Sequence, residues 1–540
     1  MNFSLAHPLS VLGAGRGICL CLASMVALRV AAGPGPANVT PPPMPGAELF
    51  TNGPMLRLRI TLTDADLASL RRDGRQDVPA RVQAGTSTWP RVALHLKGST
   101  GSFRGVEDKP ALTLSFNQFD SGQRFHGLRK LHLNNSVEDP SYFHEFAGAA
   151  LFRAAGVPAP RVTHALVELN GRRLGLYVLK EGFAAEFLAL HFQRTDGNLY
   201  DTGPGHDVDE RLARDLGSGP DDRRDLQALA AAAKESDLTQ RWQALGKTLD
   251  VDRFLSFMAM EVIAGHRDGY CLARNNFRLY HDPATDRMVF LPHGMDQLFG
   301  RSNATLSPVM AGLVARAVRE TPAGQRQYRT RLATLVTNAL DVAALHRQAD
   351  AFLARARPAL ERREFAELQT AVTATKARIA QRRLWLDRAL CEPEPSRLPF
   401  EQGVAHLTTW QAVDPPAGGA MEQGTAPDGR NALHIRAGPM TSASWRTKVL
   451  LAPGRYRFAA AVLARGVVAL KFGNNRGAGL RVVNGTAPPR YEFVGDQPWT
   501  KLEREFELGD EQEVELICEL RAAAGDAWFE LESLRLRRVP

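Results

Sequence analysis

The order in which its hydrophobic periods follow one another constrains the fold of this chain more than any single motif. Apolar and polar residues alternate with period two over residues 56–62 and 92–96, which is typical of strands with one buried face. Helical spacing dominates residues 222–264 and returns between about residues 307 and 390. Period-two alternation resumes after about residue 398. We therefore expect an α+β protein in which a β-rich part, a helical part and a second β-rich part follow one another.

The first β-rich part is expected to contain one inserted helix and a hairpin. Residues 112–116 predict a further strand, and residues 142–155 predict a helix. Residues 162–169 and 174–179 flank the dipeptide Asn170-Gly171, which favours a two-residue hairpin turn. These patterns indicate a sheet with a single helix inserted between its strands.

The length and composition are those of a globular protein with more than one domain. The chain has 540 residues, of which 44% are hydrophobic and 23% are charged. These values exclude a wholly disordered chain and leave ample apolar material for a core. The formal net charge of +9 is spread along the chain without a basic block, so we expect no nucleic-acid partner.

The N-terminus has the order of parts found in a secretory signal. Arg16 precedes an apolar run over residues 18–28, and the small residues Val30-Ala31-Ala32 follow it. The run is too short to span a bilayer comfortably, and no later segment is apolar and long enough to be transmembrane. We therefore predict a signal peptide over residues 1–32 and export to the periplasm, the cell surface or the extracellular space. A buried N-terminal helix is the alternative.

Cleavage at that point would leave three of the five cysteines, namely Cys271, Cys391 and Cys518. Three scattered cysteines form neither a disulfide framework nor a zinc site. One bridge is compatible with an oxidising compartment, and the identity of the pair is left open.

Shifts in composition divide the mature chain. Residues 33–50 are rich in Pro and Gly and predict a linker, and residues 391–397 predict a second one. Residues 51–390 form one mixed body between them, and residues 398–540 predict an all-β sandwich of jelly-roll type. The architecture of that sandwich alone suggests a carbohydrate or a cell-surface polymer as its partner. Its clearest alternation lies at residues 455–458, 467–472 and 513–520.

The stretch most informative about function runs over residues 261–300. A hydrophobic helix is expected to end before Asp268, and Asn276 opens a second predicted hairpin over residues 276–291. Asp296 follows the return strand of that hairpin, so the three polar side chains are expected at one end of it. Two carboxylates and one amide oxygen make a hard oxygen site, which suits Mg²⁺ or Mn²⁺ with bound phosphates.

Elements upstream of this stretch have the types that phosphoryl transfer requires. Residues 97–102 form a Gly- and Ser-rich turn in which the backbone N–H groups of Gly98 and Ser99 could approach phosphates. Lys109 leads the next predicted strand, and Glu145 lies on the following predicted helix. A strand lysine held by a helical glutamate positions the α- and β-phosphates of ATP in kinases.

A series of short motifs, taken in order, resembles the spore-coat protein H (CotH) kinase family. The resemblance covers roughly residues 55–300, and more loosely extends to residue 390. It implies an atypical protein-kinase-like fold with a β-rich N-terminal lobe and a helical C-terminal lobe. It also implies an enzyme that uses ATP and a divalent metal to phosphorylate Ser or Thr of exported or coat proteins. The motifs are KGST (97–100), DKP (108–110), LHLNNS (131–136), VELNG (167–171), GLYVLKE (175–181), NFRLY (276–280) and PHGMD (292–296).

The same resemblance implies a role for each candidate residue. Asp268 matches the catalytic aspartate, and Asn276 and Asp296 match the metal ligands. The ATP-binding candidates are the phosphate lysine Lys109, its expected partner Glu145, the turn residues Gly98 and Ser99, and Glu181 at the position of the adenine hinge. Other interpretations stay open, because Asn275 could replace Asn276, Asp296 could cap a helix, and Lys109 could be a loop-edge charge.

The chain departs from the family pattern at one position of the metal motif. Members often carry Asp-x-Asp where this chain has Gly294-Met295-Asp296, so the first acid is missing. The departure favours an alternative, in which the chain is a non-catalytic surface protein used for adhesion or coat assembly. A carbohydrate-directed enzyme is a third possibility, although we find no carboxylate pair typical of a glycosidase.

Overall fold

The computed structural model describes residues 44–51, 53–99, 101–391, 397–471, 475–483, 491–509 and 511–539. The predicted signal peptide and most of the linker over residues 33–50 lie outside the described residues, as do residues 392–396 of the second linker. All elements named below belong to one compact unit, Pro45–Pro540. None of the helices in the described part of the chain combines the length and the apolar character that crossing a membrane requires.

Seven strands close into a barrel in the N-terminal part. They are β1 (Leu56–Thr61), β2 (Val78–Ala84), β3 (Ser87–Lys97), β4 (Ala111–Ser115), β5 (Lys130–Asn134), β6 (Val162–Leu169) and β7 (Arg172–Glu181). Their order is β1-β2-β3-β4-β5-β7-β6, and parallel pairing of β6 with β1 closes the barrel. Leu58 and Ile60 are buried inside it, whereas Arg57 and Arg59 are exposed. The predicted strands are therefore confirmed, and the period-two alternation of β1 separates core from solvent.

Two helices accompany the barrel, namely α1 (Asp64–Arg72) after β1 and α2 (His144–Ala154) between β5 and β6. The helix predicted over residues 142–155 is thus confirmed, and α1 is an addition that the alternation did not indicate. The predicted hairpin is confirmed as well, since Asn170 (φ 49°) and Gly171 (φ 77°) form its turn. Positive φ at both positions is what a type I′ turn requires.

A small sheet and most of the helices follow the barrel. The helices are α3 (Ala185–His191), α4 (Arg224–Lys234), α5 (Leu238–Thr248), α6 (Val251–Ala264), α7 (Tyr270–Ala273), α8 (Leu313–Glu320), α9 (Pro322–Asn338), α10 (Val342–Ala356) and α11 (Arg362–Cys391). The strands are β8 (Leu199–Asp201), β9 (Ala213–Leu216), β10 (Phe277–Asp282) and β11 (Arg287–Pro292), in the order β11-β10-β8-β9. The helical part and the hairpin predicted within it are confirmed. β8 and β9 are too short to have given a sequence signal.

The long helix α11 fixes the end of α6. Its Arg382 is almost fully buried and donates hydrogen bonds to the carbonyls of Val262 (2.7 Å) and Ile263 (3.1 Å), in the last turn of α6. The same guanidinium donates to the carbonyls of Ser302 and Ala304. Helix C-terminal carbonyls lack partners within their own helix, so a buried cation there satisfies them. α11 therefore holds the point from which the chain leaves α6 toward Asp268.

The C-terminal part is all-β, and its eleven strands form one hydrogen-bonded network. β21 pairs with β16 and β18 along its first half and with β15 and β17 along its second half. The separate strands predicted at residues 455–458 and 467–472 were wrong in one respect. Residues 455–458 and 467–469 lie at the two ends of one strand, β17, and residues 470 and 471 follow that strand. Register shifts interrupt the pairing of β17 between residues 462 and 469. The strands are β12 (Val404–His406), β13 (Gln411–Val413), β14 (Ala420–Thr425), β15 (Asn431–Arg436), β16 (Thr441–Leu451), β17 (Gly454–Ala469), β18 (Asn475–Val482), β19 (Tyr491–Phe493), β20 (Gly495–Leu508), β21 (Gln512–Glu530) and β22 (Arg535–Val539).

Candidate functional site

A cleft of about 570 Å³ lies between the barrel and the small sheet. Strands β3, β4, β5 and β7 contribute to one wall, and β8, β9 and β10 contribute to the other. Six of the eight residues singled out in the sequence line this cleft, namely Gly98, Ser99, Glu145, Asp268, Asn276 and Asp296. Lys109 and Glu181 do not line it.

Two neighbouring amides orient the carboxylate of Asp268. Asn275 donates to Oδ1 at 3.0 Å, and Asn276 donates to Oδ2 at 2.6 Å and to the Asp268 carbonyl at 2.9 Å. Asn276 adopts a left-handed backbone conformation (φ 51°), which asparagine tolerates better than most residues. Both asparagines that the sequence left as alternatives therefore contact Asp268, and the amide N–H₂ of Asn276 is committed to it.

Gly294 stands where the family pattern often has an acid, and Asn276 occupies the space of the missing side chain. A Cβ on Gly294 would lie 2.1 Å from Oδ1 and 2.6 Å from Cγ of Asn276. Gly294 also has a φ of +50°, which disfavours any side chain. An acid at this position would thus fit only if Asn276 turned aside. The glycine at position 294 and the position of the Asn276 side chain therefore depend on each other.

We expect Gly294→Ala to lower the free energy of unfolding by about 1–3 kcal/mol, because it combines backbone strain with a collision. Gly85 provides a matched control, since its φ of +57° is similar and a Cβ there would meet no atom within 4 Å. Denaturant unfolding of the two variants checks the prediction. Equal losses in Gly294→Ala and Gly85→Ala would contradict a contact between position 294 and Asn276.

A buried glutamate on α6 holds the loop that carries Asp268. Glu261 accepts hydrogen bonds from the backbone N–H of Tyr270 (2.9 Å) and of Cys271 (2.8 Å). Burial raises the pKa of Glu261 to about 7, although these hydrogen bonds work in the opposite direction. Sequence patterns did not indicate a role for Glu261, because it is one polar position within a largely apolar helix.

This shifted pKa predicts a pH dependence of stability. The folded chain keeps the Glu261 proton to higher pH than the unfolded chain, whose carboxyl ionises near its ordinary value of 4.5. The stabilisation from this group is therefore complete below about pH 4.5 and is lost as the pH rises through about 7. Between about pH 4.5 and about pH 7, we expect the free energy of unfolding of the wild type to fall by about 1–3 kcal/mol more than that of Glu261→Gln. Parallel pH profiles of wild type and variant would contradict the assignment.

Asp296 follows β11, and a histidine of α2 holds its backbone. Nδ1 of His144 lies 2.7 Å from the Asp296 carbonyl, and Nε2 lies 3.2 Å from a guanidinium nitrogen of Arg378 on α11. A guanidinium can only donate, so Nε2 accepts and Nδ1 carries the proton. Burial raises the pKa of the Asp296 carboxyl to about 7, and the charge of Glu145 adds to the effect.

The ion pair that we expected between Lys109 and Glu145 is made by Lys180 of β7 instead. Lys180 Nζ lies 2.5 Å from Oε1 of Glu145, and the two side chains are 0% and 3% exposed. Asn134 donates to the other oxygen of Glu145 and accepts from Lys97 Nζ at 2.6 Å. Lys180 also lies 3.2 Å from Nδ1 of His293. One sequence signal could have found Lys180, since a lysine within an apolar strand is rarely buried without a partner.

Lys109 lies outside the cleft, in an aromatic setting. Its Nζ lies 2.6 Å from the hydroxyl of Tyr142, and within 4.9 and 5.1 Å of the ring centres of Tyr142 and Tyr177. Burial lowers its pKa to about 8. The segment before β4 thus turns this lysine toward the two tyrosines, away from Glu145.

Glu181 ends β7 and is buried within the barrel. Its Oε1 lies 2.5 Å from a guanidinium nitrogen of Arg161, and its Oε2 accepts from Nε of the same arginine at 3.0 Å. The carboxylate is therefore committed to Arg161 and does not reach the cleft.

The two walls of the cleft carry opposite charge. On the barrel side, Arg75, Lys97 and Lys130 line the cleft, and Lys180 is fully buried behind this lining. The carboxylates on this side are Glu138, Asp139 and Glu145, so four basic groups face three acids. Burial and the neighbouring Lys180 lower the pKa of Lys97 to about 7. Burial alone would raise the pKa of Glu145, but the two lysines outweigh it and the net shift is downward. On the opposite side, Asp268 and Asp296 supply negative charge.

The oxygen ligands in the cleft suit a cation that is bound by substrate phosphates as well as by the protein. No group of three or more His, Cys, Asp or Glu side chains within the described ranges is arranged to hold a metal. Mg²⁺ is often bound by one or two carboxylates together with substrate phosphates, so it does not require such a group. Asp296 and the free oxygen of Asn276 fit that requirement, and a cation would compensate the poorly stabilised Asp296 charge.

The chain is similar to a known protein family and to known proteins. A family model described as "CotH kinase protein" matches residues 94–386, more than half of the chain. Inner spore coat protein H of Bacillus subtilis is 26% identical over 199 residues, which cover 34% of this chain and 53% of that protein. The match therefore spans about half the length of this relative.

Two solved structures are also similar. The proinflammatory kinase CtkA of Helicobacter pylori matches with 8% identity and a TM-score of 0.27, over 55% of this chain and 98% of its own. TmCBM61, solved in complex with β-1,4-galactotriose, matches with 16% identity and a TM-score of 0.18, over 26% and 95%.

Proposed function

Because the chain belongs to the CotH kinase protein family, we propose that it transfers the γ-phosphoryl group of ATP to a Ser or Thr hydroxyl of a protein outside the cytoplasm. One observation carries the proposal, namely the opposite charge of the two cleft walls. Phosphoryl transfer needs cations along the phosphate chain and a carboxylate beside the acceptor hydroxyl. In this cleft the buried lysines supply the cations, and Asp268 supplies the carboxylate. We also propose that the barrel and the helical part correspond to the two lobes of a kinase.

Lys97 of the barrel wall, with Lys180 buried behind it, binds and orients the phosphates. Lys180 is held by Glu145, and Lys97 is held by Asn134, so both ammonium groups are fixed before ATP binds. Gly98 and Ser99 line the same wall, and the backbone N–H of Ser99 already donates to the Ser102 hydroxyl at 3.1 Å. The N–H of Gly98 is therefore the one proposed to reach the phosphates.

Asp268 acts on the acceptor. Its carboxylate takes the hydroxyl proton as the acceptor oxygen bonds to the γ-phosphorus and the bond from phosphorus to the bridging oxygen of ADP breaks. Asn275 and Asn276 hold the carboxylate in one orientation, which lowers the entropic cost of reaching that geometry.

A divalent cation is part of the proposal. Asn276 and Asp296 would hold Mg²⁺ or Mn²⁺, which when bound neutralises charge on the β- and γ-phosphates. Gly294 leaves the oxygen of Asn276 the room that a second acid would have taken.

Nucleotide binding tests the proposal. We expect ATP with Mn²⁺ to stabilise the chain by about 2.7 kcal/mol at a concentration one hundred times Kd, which raises the unfolding temperature. Lys97→Met and Lys180→Met should each reduce this shift, measured from the variant's own baseline. Lys109→Met is the matched control, since that lysine bonds to Tyr142 and not to Glu145 of the cleft lining, and it should keep the shift.

A wild-type chain that shows no metal-dependent shift with ATP would overturn the proposal. It would favour the non-catalytic surface protein, a reading that Gly294 also suggests. Export and a carbohydrate or surface-polymer partner for the C-terminal part are further proposals. Cell fractionation tests the first, and binding of defined oligosaccharides tests the second.

A further inference from the structure

A histidine that the proposed reaction does not use lines the cleft directly after β11. This residue, His293, is held from two sides. Its ring packs edge-on against Phe183, with the ring centres 5.6 Å apart, and its backbone N–H donates to the carbonyl of Asn276 at 2.9 Å. The imidazole is therefore fixed at the wall of the cleft before any ligand binds.

Lys180 determines which ring nitrogen of His293 carries the proton. Nδ1 of the ring lies 3.2 Å from Nζ of Lys180, whose ammonium is paired with Glu145. An ammonium group can only donate, so Nδ1 accepts this hydrogen bond and carries no proton. A neutral imidazole then has its single proton on the other nitrogen. The ring is therefore an uncharged group whose Nε2–H is a hydrogen-bond donor.

The protein leaves this donor without an acceptor. Nε2 of His293 makes no hydrogen bond to any residue that the structure describes, and it is not one of the buried polar atoms without a partner. Because the atom is accessible and the ring lines the cleft, the N–H is open to the cleft. A ligand oxygen in the cleft can therefore accept from it.

The charges around the ring favour an anionic acceptor. Lys97, Lys180 and Arg278 act on His293 electrostatically. Lys180 and Arg278 are paired with carboxylates. Nζ of Lys97 instead donates to the amide oxygen of Asn134 at 2.6 Å, and no carboxylate in the described part of the chain bonds to it. A neutral donor beside an ammonium group without a bonded carboxylate suits a phosphate oxygen.

We propose that Nε2–H of His293 donates a hydrogen bond to a phosphate oxygen of bound ATP. This inference rests on the proposed function and adds an uncharged phosphate ligand to it. A neutral donor binds the phosphates without the repulsion that a further cation would meet beside Lys97 and Lys180. The ring keeps its proton during the reaction, because Lys180 continues to occupy Nδ1.

Two substitutions separate the roles of the two ring nitrogens. The amide of asparagine reaches the position of Nδ1, and the amide of glutamine reaches the position of Nε2. His293→Asn thus keeps an acceptor for Lys180 and removes the donor in the cleft, whereas His293→Gln keeps the donor and removes the acceptor.

We expect His293→Asn to weaken the binding of ATP with Mn²⁺ about tenfold, the usual effect of losing one hydrogen bond to a charged group. His293→Gln should retain most of the affinity. Titration calorimetry of the full chain with ATP and Mn²⁺ measures both dissociation constants.

A histidine that only supports Lys180 predicts the reverse order of affinities. If His293→Asn binds ATP no more weakly than His293→Gln does, the inference is overturned. His346→Asn is the matched control, because His346 is also half-buried, lies 3.0 Å from the carbonyl of Lys376 and does not line the cleft. Its ATP affinity should equal that of the wild type, and a loss as large as that in His293→Asn would also overturn the inference.

Binding of ATP to the wild type keeps the two proposals apart. A wild-type chain that binds ATP with Mn²⁺, together with an equal affinity of His293→Asn, overturns the phosphate contact alone. A wild-type chain that does not bind ATP overturns the proposed function, and this inference with it.

Discussion

Glu145→Ala is expected to lower the free energy of unfolding by about 3–5 kcal/mol, because it leaves the buried Lys180 ammonium without its partner. The two side chains are 3% and 0% exposed, so water cannot replace the lost carboxylate. The change also removes the acceptor of the Asn134 amide, which in turn holds Lys97. Denaturant unfolding measures the loss.

Two comparisons make this result specific. The double variant Glu145→Leu with Lys180→Met should recover much of the stability, since no buried charge then remains unpaired. Glu168→Ala breaks a partly exposed pair with Arg59 at 3.9 Å and should cost less than about 1 kcal/mol. If Glu145→Ala costs no more than Glu168→Ala, the buried pair is not formed as described.

Asp268→Ala is expected to lower the rate of phosphoryl transfer by about 10²–10⁴-fold, the usual contribution of a positioned general base. ATP affinity should change little, because the lysines that bind the phosphates lie on the opposite wall. Initial rates with labelled ATP and a Ser-containing peptide measure the effect.

Asp350→Ala is the matched control for this variant. Asp350 lies on the exposed side of α10, where it pairs with Lys376 at 2.7 Å, and it does not line the cleft. Its loss should leave the rate within a factor of about two. Similar rates for Asp268→Ala and wild type would remove Asp268 from the chemistry.

Local patterns in the sequence predicted local structure well. The alternation of β1, the Asn170-Gly171 turn and the hairpin after Asn276 each depend on residues close together in the chain, and each is confirmed. The closure of the barrel could not be predicted, since it rests on parallel pairing of Leu58 with Val167, more than one hundred residues away.

Site residues close together in the chain could be predicted, whereas contacts between distant residues could not. Asp268 and Asn276 are eight positions apart and flank one short helix, so their proximity was readable. The partner of Glu145 was not, because Lys109 stands just before β4, Lys180 lies within β7, and only the barrel decides which of the two faces α2. The contact of Gly294 with Asn276 likewise exists only once β10 and β11 pair.

Label transfer from two forms of ATP tests the central claim most directly. The full chain is incubated with Mn²⁺, a Ser-containing peptide, and ATP labelled at either the γ- or the α-phosphate. The charge division of the cleft predicts that the peptide gains the γ-label and not the α-label. Absence of both labels, or incorporation of the α-label, would contradict γ-phosphoryl transfer by this cleft.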